Sequence, residues 1–162
     1  MGLRTILSGD DPALRKQSRE VTNFDRRLHS LLDDLAETLE HACGAGLAAP
    51  QVGVLRRVFI VNIDELIEFI NPRIVFSGGT QEGAEGCLSI PGRTGLVTRP
   101  ERVTVQAQDR HGKLFEVEGD GYLARAFCHE LDHLDGRLYT DIMERFMTEE
   151  ELAELAQEDE DE

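Results

Sequence analysis

Residues 128–136 read CHELDHLDG, and no other stretch restricts the fold as much. His129 and His133 stand four positions apart, a spacing that on an α-helix makes two side chains neighbours on one face. Two imidazoles on one helical face can grip a single ion. Glu130 lies beside them, within reach of a water on that ion. The chemistry asks for these residue types: neutral imidazole suits a borderline metal. A carboxylate that is not itself a ligand can take a proton from water and later return it. A bound divalent metal lowers the pKa of its water from about 16 towards 7. The segment is therefore expected to be a buried-faced helix, with the rest of the chain folded to bring further ligands to it.

The flanks fit. A helix over about 120–135 has Asp120 as a possible cap and Gly136 as a stop. An earlier helix is predicted over 25–42, where Leu28, Leu31, Leu32, Leu35 and Leu39 recur at spacings of three and four, a core-facing stripe. Thr22 or Asn23 is its candidate cap and Gly44 lies just past its end. Between the helices, runs rich in Val, Ile and Phe at 57–61, 68–76, 102–109 and 113–119 read as strands, with DRHGK (109–113) as a hairpin turn. Strands in a block with helices on either side define an α+β domain, here with small mixed or antiparallel sheets around a central metal-binding helix. One catalytic domain over 1–147 and an acidic tail over 148–162 are expected. Thr148 and Glu151 form a capping-box pattern that opens a short helix in the tail, with the remainder solvated or disordered.

A chain of 162 residues, 40% of them apolar, can bury a real core. No apolar run reaches membrane-spanning length and the N-terminus has no signal-like apolar region. The formal net charge is −15, which disfavours binding to phosphate backbones. Nine of the acids lie in 148–162, so residues 1–147 carry −6. Three cysteines, Cys43, Cys87 and Cys128, make a poor disulfide framework and suit a reducing cytoplasm.

Two histidines leave a catalytic metal one ligand short, and no histidine follows His133. Upstream stands EGAEGCLSIPGR (82–93), with Cys87 in a glycine-flanked turn where backbone can approach a ligand. Its thiolate is a good soft ligand. A third stretch, GAGLAAPQVG (44–53), is a loop of small residues ending near Gln51, whose amide can donate to an oxyanion.

Together, GAGLAAPQVG, EGCLSIPG and HELDH resemble the three signature motifs of the peptide deformylases, in that family's order. FINPRIV, RVTVQAQDRHGK and GDGYLARAF resemble it too, so the likeness covers about residues 3–143. It implies hydrolysis of the formyl group from N-formylmethionine on nascent polypeptides. Cys87, His129 and His133 would hold one divalent metal, usually iron(II), with nickel, cobalt or zinc substituting. Metal-bound water would attack the formyl carbon with Glu130 as base and then acid. Gln51 and the Leu88 backbone N–H would steady the oxyanion. Gly46, Ala45 and Gly86 would line the substrate's approach, and Tyr122, seven residues before His129, is a candidate wall of the side-chain pocket. Contact with the ribosome would be transient, with no membrane or direct nucleic-acid binding.

Three features depart from the family pattern. Ala45 replaces a larger aliphatic residue, Cys128 stands where glutamine is common, and the C-terminal end is acidic rather than basic. Cys128 is expected to be a packed, inert thiol. Two rivals remain. A zinc peptidase explains HELDH but leaves EGCLS and Gln51 without work. A non-catalytic homologue acting as a binding protein has no reason to keep Glu130.

Overall fold

The computed structural model describes residues 2–161, with side chains to residue 158. Position 1 of the expected domain and position 162 of the expected tail lie outside the described residues. After a 3₁₀ turn at Pro12–Arg15 come α1 (Arg26–Ala42), β1 (Gly46–Ala48), a second 3₁₀ turn (Ala49–Val52), β2 (Val58–Asn62) and β3 (Leu66–Gly78). The chain continues through β4 (Gln81–Cys87), β5 (Ile90–Arg99), β6 (Arg102–Gln108), β7 (Leu114–Asp120) and α2 (Gly121–Leu134). A 3₁₀ turn at Tyr139–Asp141, β8 (Arg145–Phe146) and α3 (Glu149–Asp161) complete it. The fold is α+β: a five-stranded antiparallel sheet in the order β1-β2-β3-β6-β7 and a three-stranded one in the order β4-β5-β8.

Strand alternation decides what each helix covers. On β2, Phe59 and Val61 face one way and join Phe69, Val103, Val105 and the α2 residues Ala124, Phe127 and Leu131 in one core. Val58 and Ile60 face the other way and join the α1 leucines in a second. The large sheet is thus sandwiched, and α2 runs between it and the small sheet, to which it is tied by Arg125 Nη1 donating to the Val97 carbonyl at 3.1 Å. Burying a leucine of the α1 stripe is worth about 1.5–3 kcal/mol.

The ends of the elements differ in detail from expectation. Asp25, not Thr22 or Asn23, caps α1 by accepting from the Leu28 N–H at 3.1 Å. The helix closes on Cys43 in the left-handed region, φ 56°, one residue before Gly44. Asp120 occupies the cap position of α2 but makes no side-chain cap bond. Gly136 has φ 76°, and a Cβ there would lie 2.5 Å from the Arg15 carbonyl oxygen, so only glycine fits that exit. The box at α3 forms as its pattern predicts: Thr148 N–H donates to Glu151 Oε1 and Glu151 N–H to Thr148 Oγ1, at 3.0 and 3.1 Å.

Candidate metal centre

Helix α2 carries His129 and His133 on its buried face, at 8% and 1% exposure. Cys87 ends β4, at the tight turn into β5, where it pairs with Ile90. This hairpin reaches over α2 and sets Cys87 Sγ 3.3 Å from His133 Nε2. One donor atom from each of Cys87, His129 and His133 lies within 4.8 Å of the others. One thiolate and two imidazoles fit a single divalent ion with a further position left for water or substrate. Burial, aided by the neighbouring His129, holds the His133 imidazole well below its ordinary pKa, in the neutral form that a ligand needs.

The outer support of this group is Glu85, two residues before Cys87. Its Oε2 accepts from His129 Nδ1 at 2.6 Å and Arg99 Nη2 at 2.6 Å, and its Oε1 from Arg99 Nε at 3.1 Å and Arg125 Nη1 at 3.0 Å. Burial alone would raise this carboxyl, but the bonds from His129 and Arg99 hold it down at about 2. An ionised Glu85 fixes the hydrogen of His129 on Nδ1 and frees Nε2 as the ligand atom. Arg99 is held in turn by Asp132 Oδ2 at 2.7 Å. Asp132 and Asp135 are not the histidines' partners; Asp135 pairs with Arg57 at 3.0 Å.

Glu85→Ala would strip the counter-charge from two buried arginines, and the expected loss in urea unfolding is about 3–5 kcal/mol. The pH dependence has a sign. The depressed carboxyl contributes fully above its unfolded value near 4.3 and fades as pH falls towards 2. Wild-type stability should therefore drop more steeply through that window than the variant's. A loss under about 1 kcal/mol would mean that Glu85 is no hub.

Glu130 is 4% exposed, and burial pushes its carboxyl up to about 7. Its Oε1 is buried and takes no hydrogen bond from a described residue. Gly46 of β1 lies against it: a Cβ at 46 would sit 2.6 Å from Glu130 Oε2. Gln51 comes from the 3₁₀ turn, whose backbone is anchored by Leu7 N–H donating to the Gln51 carbonyl at 2.7 Å. Gln51 Oε1 accepts from Ala48 N–H at 2.9 Å, which turns Nε2 towards Ser89 Oγ (3.1 Å) and Cys87 Sγ (3.6 Å).

These groups border a cleft of about 460 Å³. Cys87, His129, Glu130, Gln51 and Leu88 line it, as do Ala45, Gly46, Gly86 and Tyr122, while His133 lies behind Cys87. Tyr122 forms rim rather than wall, with 61% of its surface exposed. Cys128 is 6% exposed and packs in the core beside Phe127 and Leu131. Burial raises its thiol to about 11, the inert state expected of it. Sequence reasoning missed Glu85, Arg99 and Ser89 and gave Arg125 no task. The available signal was Arg125 at i−4 from His129, a charge on the helix's buried face that requires a partner.

A thiol and two imidazoles, beside a carboxyl whose buried Oε1 has no partner among the described residues and bordering a cleft, define a mononuclear metal hydrolase. Residues 3–149 match the model of the polypeptide deformylase family. The chain is 52% identical over 142 residues to the peptide deformylase of Alkaliphilus metalliredigens, covering 87% of this chain and 97% of that one. It is also 52% identical over 153 residues to that of Caldicellulosiruptor bescii, covering 94% and 92%. The fold matches the crystal structure of a peptide deformylase from Legionella pneumophila with a TM-score of 0.85 and 46% identity over 87% of this chain and 86% of that one. The chain belongs to the polypeptide deformylase family, whose activity is the metal-dependent deformylation of N-formylmethionine peptides.

Proposed function

We propose that the chain deformylates nascent N-formylmethionyl peptides with its own residues in the following roles. The supporting observation is the convergence of Cys87, His129 and His133 donor atoms within 4.8 Å, next to the Glu130 carboxyl, whose buried Oε1 takes no hydrogen bond from a described residue. A divalent ion held by these three, iron(II) natively with nickel, cobalt or zinc able to replace it, supplies Lewis acidity at the formyl oxygen and acidifies water. Glu130 takes the proton of the attacking water and delivers it to the leaving amine; a carboxyl near 7 can do both at neutral pH. Gln51 Nε2 and the Leu88 N–H donate to the formyl oxygen as it gains charge. Gly46 leaves room for the Glu130 carboxylate, and Ala45, Gly86 and Tyr122 shape the cleft for the formyl-methionyl end.

The test is formate release from a formyl-Met-Ala peptide by protein purified without oxygen and loaded with iron(II) or nickel. In the same assay Gln51→Ala is expected to bind metal normally and to turn over about 100- to 1,000-fold more slowly. An unimpaired rate would remove Gln51 from the mechanism.

The reaction is placed in the cytoplasm, where three unpaired cysteines suit the redox poise. No described helix is long and apolar enough to cross a membrane. Contact with the ribosome is transient on this reading and does not run through α3, whose acids RNA phosphate repels. No direct nucleic-acid or membrane binding is assigned.

A further inference from the structure

The lining of the cleft includes one exposed charged side chain. Arg93 is exposed, whereas the other charged residues of the lining, Glu85, Arg125 and Glu130, are buried. Its placement follows from the β4–β5 pairing. Cys87 pairs with Ile90 and Glu85 with Gly95, so residues 91–94 stand opposite Gly86 alone. The excess residues bow outward at the cleft mouth, two of them Pro91 and Gly92 with φ 78°. Gly86 accommodates this: a Cβ there would meet the Arg93 carbonyl oxygen at 3.6 Å. The guanidinium is parked over the Phe146 ring of β8, 3.8 Å from its centroid. A cation on an aromatic face keeps its charge and its outward N–H groups, and loses much of its rotamer freedom.

We propose that Arg93 is a specificity-determining residue that selects peptides with an acidic side chain two or three positions after the formylmethionine. This rests on the deformylase reading of the site. The reach is right. The Arg93 backbone borders Gly86, the residue before Cys87. An extended peptide advances about 3.3 Å per residue, so a peptide running from the metal group along Gly86 would bring its second and third residues past the Arg93 side chain. The chain's net charge of −15 repels acidic peptides at long range. That field is screened beyond about 8 Å at physiological salt, whereas the contact with Arg93 is local.

The experiment compares kcat/KM for amidated peptides formyl-Met-Ala-X-Ala and formyl-Met-Ala-Ala-X, with X as Glu, Gln or Lys. Wild type and Arg93→Gln and Arg93→Glu proteins are each loaded with nickel. At physiological salt, where the field of the whole chain is screened, the wild type is expected to favour Glu over Lys by about two- to five-fold, the range of a single exposed ion pair. Arg93→Gln should abolish the preference, Arg93→Glu should reverse it, and the neutral Gln peptides should be cleaved at similar rates by all three. A Glu-to-Lys ratio that Arg93→Gln leaves unchanged overturns the assignment. A wild type that cleaves none of the peptides overturns the deformylase reading and this assignment with it.

Discussion

Glu130→Ala is expected to lower formate release from formyl-Met-Ala by about 10²- to 10⁴-fold, with metal content unchanged. The expectation follows from where the carboxylate sits. Its buried Oε1 takes no hydrogen bond from a described residue, so that oxygen is not committed to holding the fold together. Burial brings it to about 7, where the cost of gaining and of losing a proton is nearly balanced. It also lies against Gly46, where any side chain would collide with the carboxylate and displace it. Glu130→Gln keeps the size but cannot accept the proton, and should be nearly as slow as the alanine variant. A glutamine variant within about ten-fold of wild type would show that the residue positions and does not transfer protons.

The second large effect is on the metal. Cys87→Ser is expected to weaken metal binding by more than about 100-fold, beyond the 10- to 100-fold typical of losing an outer partner. Formate release should fall with it. A hydroxyl is a harder, far less acidic donor than a thiol, and the site would lose its one anionic ligand. The fold should persist, because Cys87 is only half-buried at the end of a strand. Metal titration of the purified variant decides the matter. Full affinity without Cys87 would point to a different third ligand and revive the zinc-peptidase alternative.

The two helices and the four apolar strands were legible because burial writes a period into sequence. The leucines of α1 carry that period plainly, while the Val-Phe-Ile-Val run of β2 is legible as a continuous apolar stretch because both of its faces are buried. Strands β1, β4, β5 and β8 were not legible. QEGAEGC and IPGRTGLVTR hold little apolar alternation, and their order comes from pairing with one another and with Arg145–Phe146. The hairpin that presents Cys87 was visible only as a turn for the same reason. Within the cleft, the residues named from the three motifs do lie together. Glu85 was hidden because its importance is relational: it meets Arg99, Arg125 and His129 only after the small sheet has folded onto α2.

That relation bears on how the protein handles its metal. In a zinc finger the ion supplies the folding energy, so stripping the metal unfolds the domain. Here two of the three ligands are held by bonds that need no ion: His129 by Glu85, itself bound by two arginines, and Cys87 by the β4–β5 hairpin. The fold is therefore expected to survive removal of the ion, with far-UV circular dichroism unchanged after chelation. On that expectation the metal it carries would be set by supply over the life of a molecule rather than once at its folding.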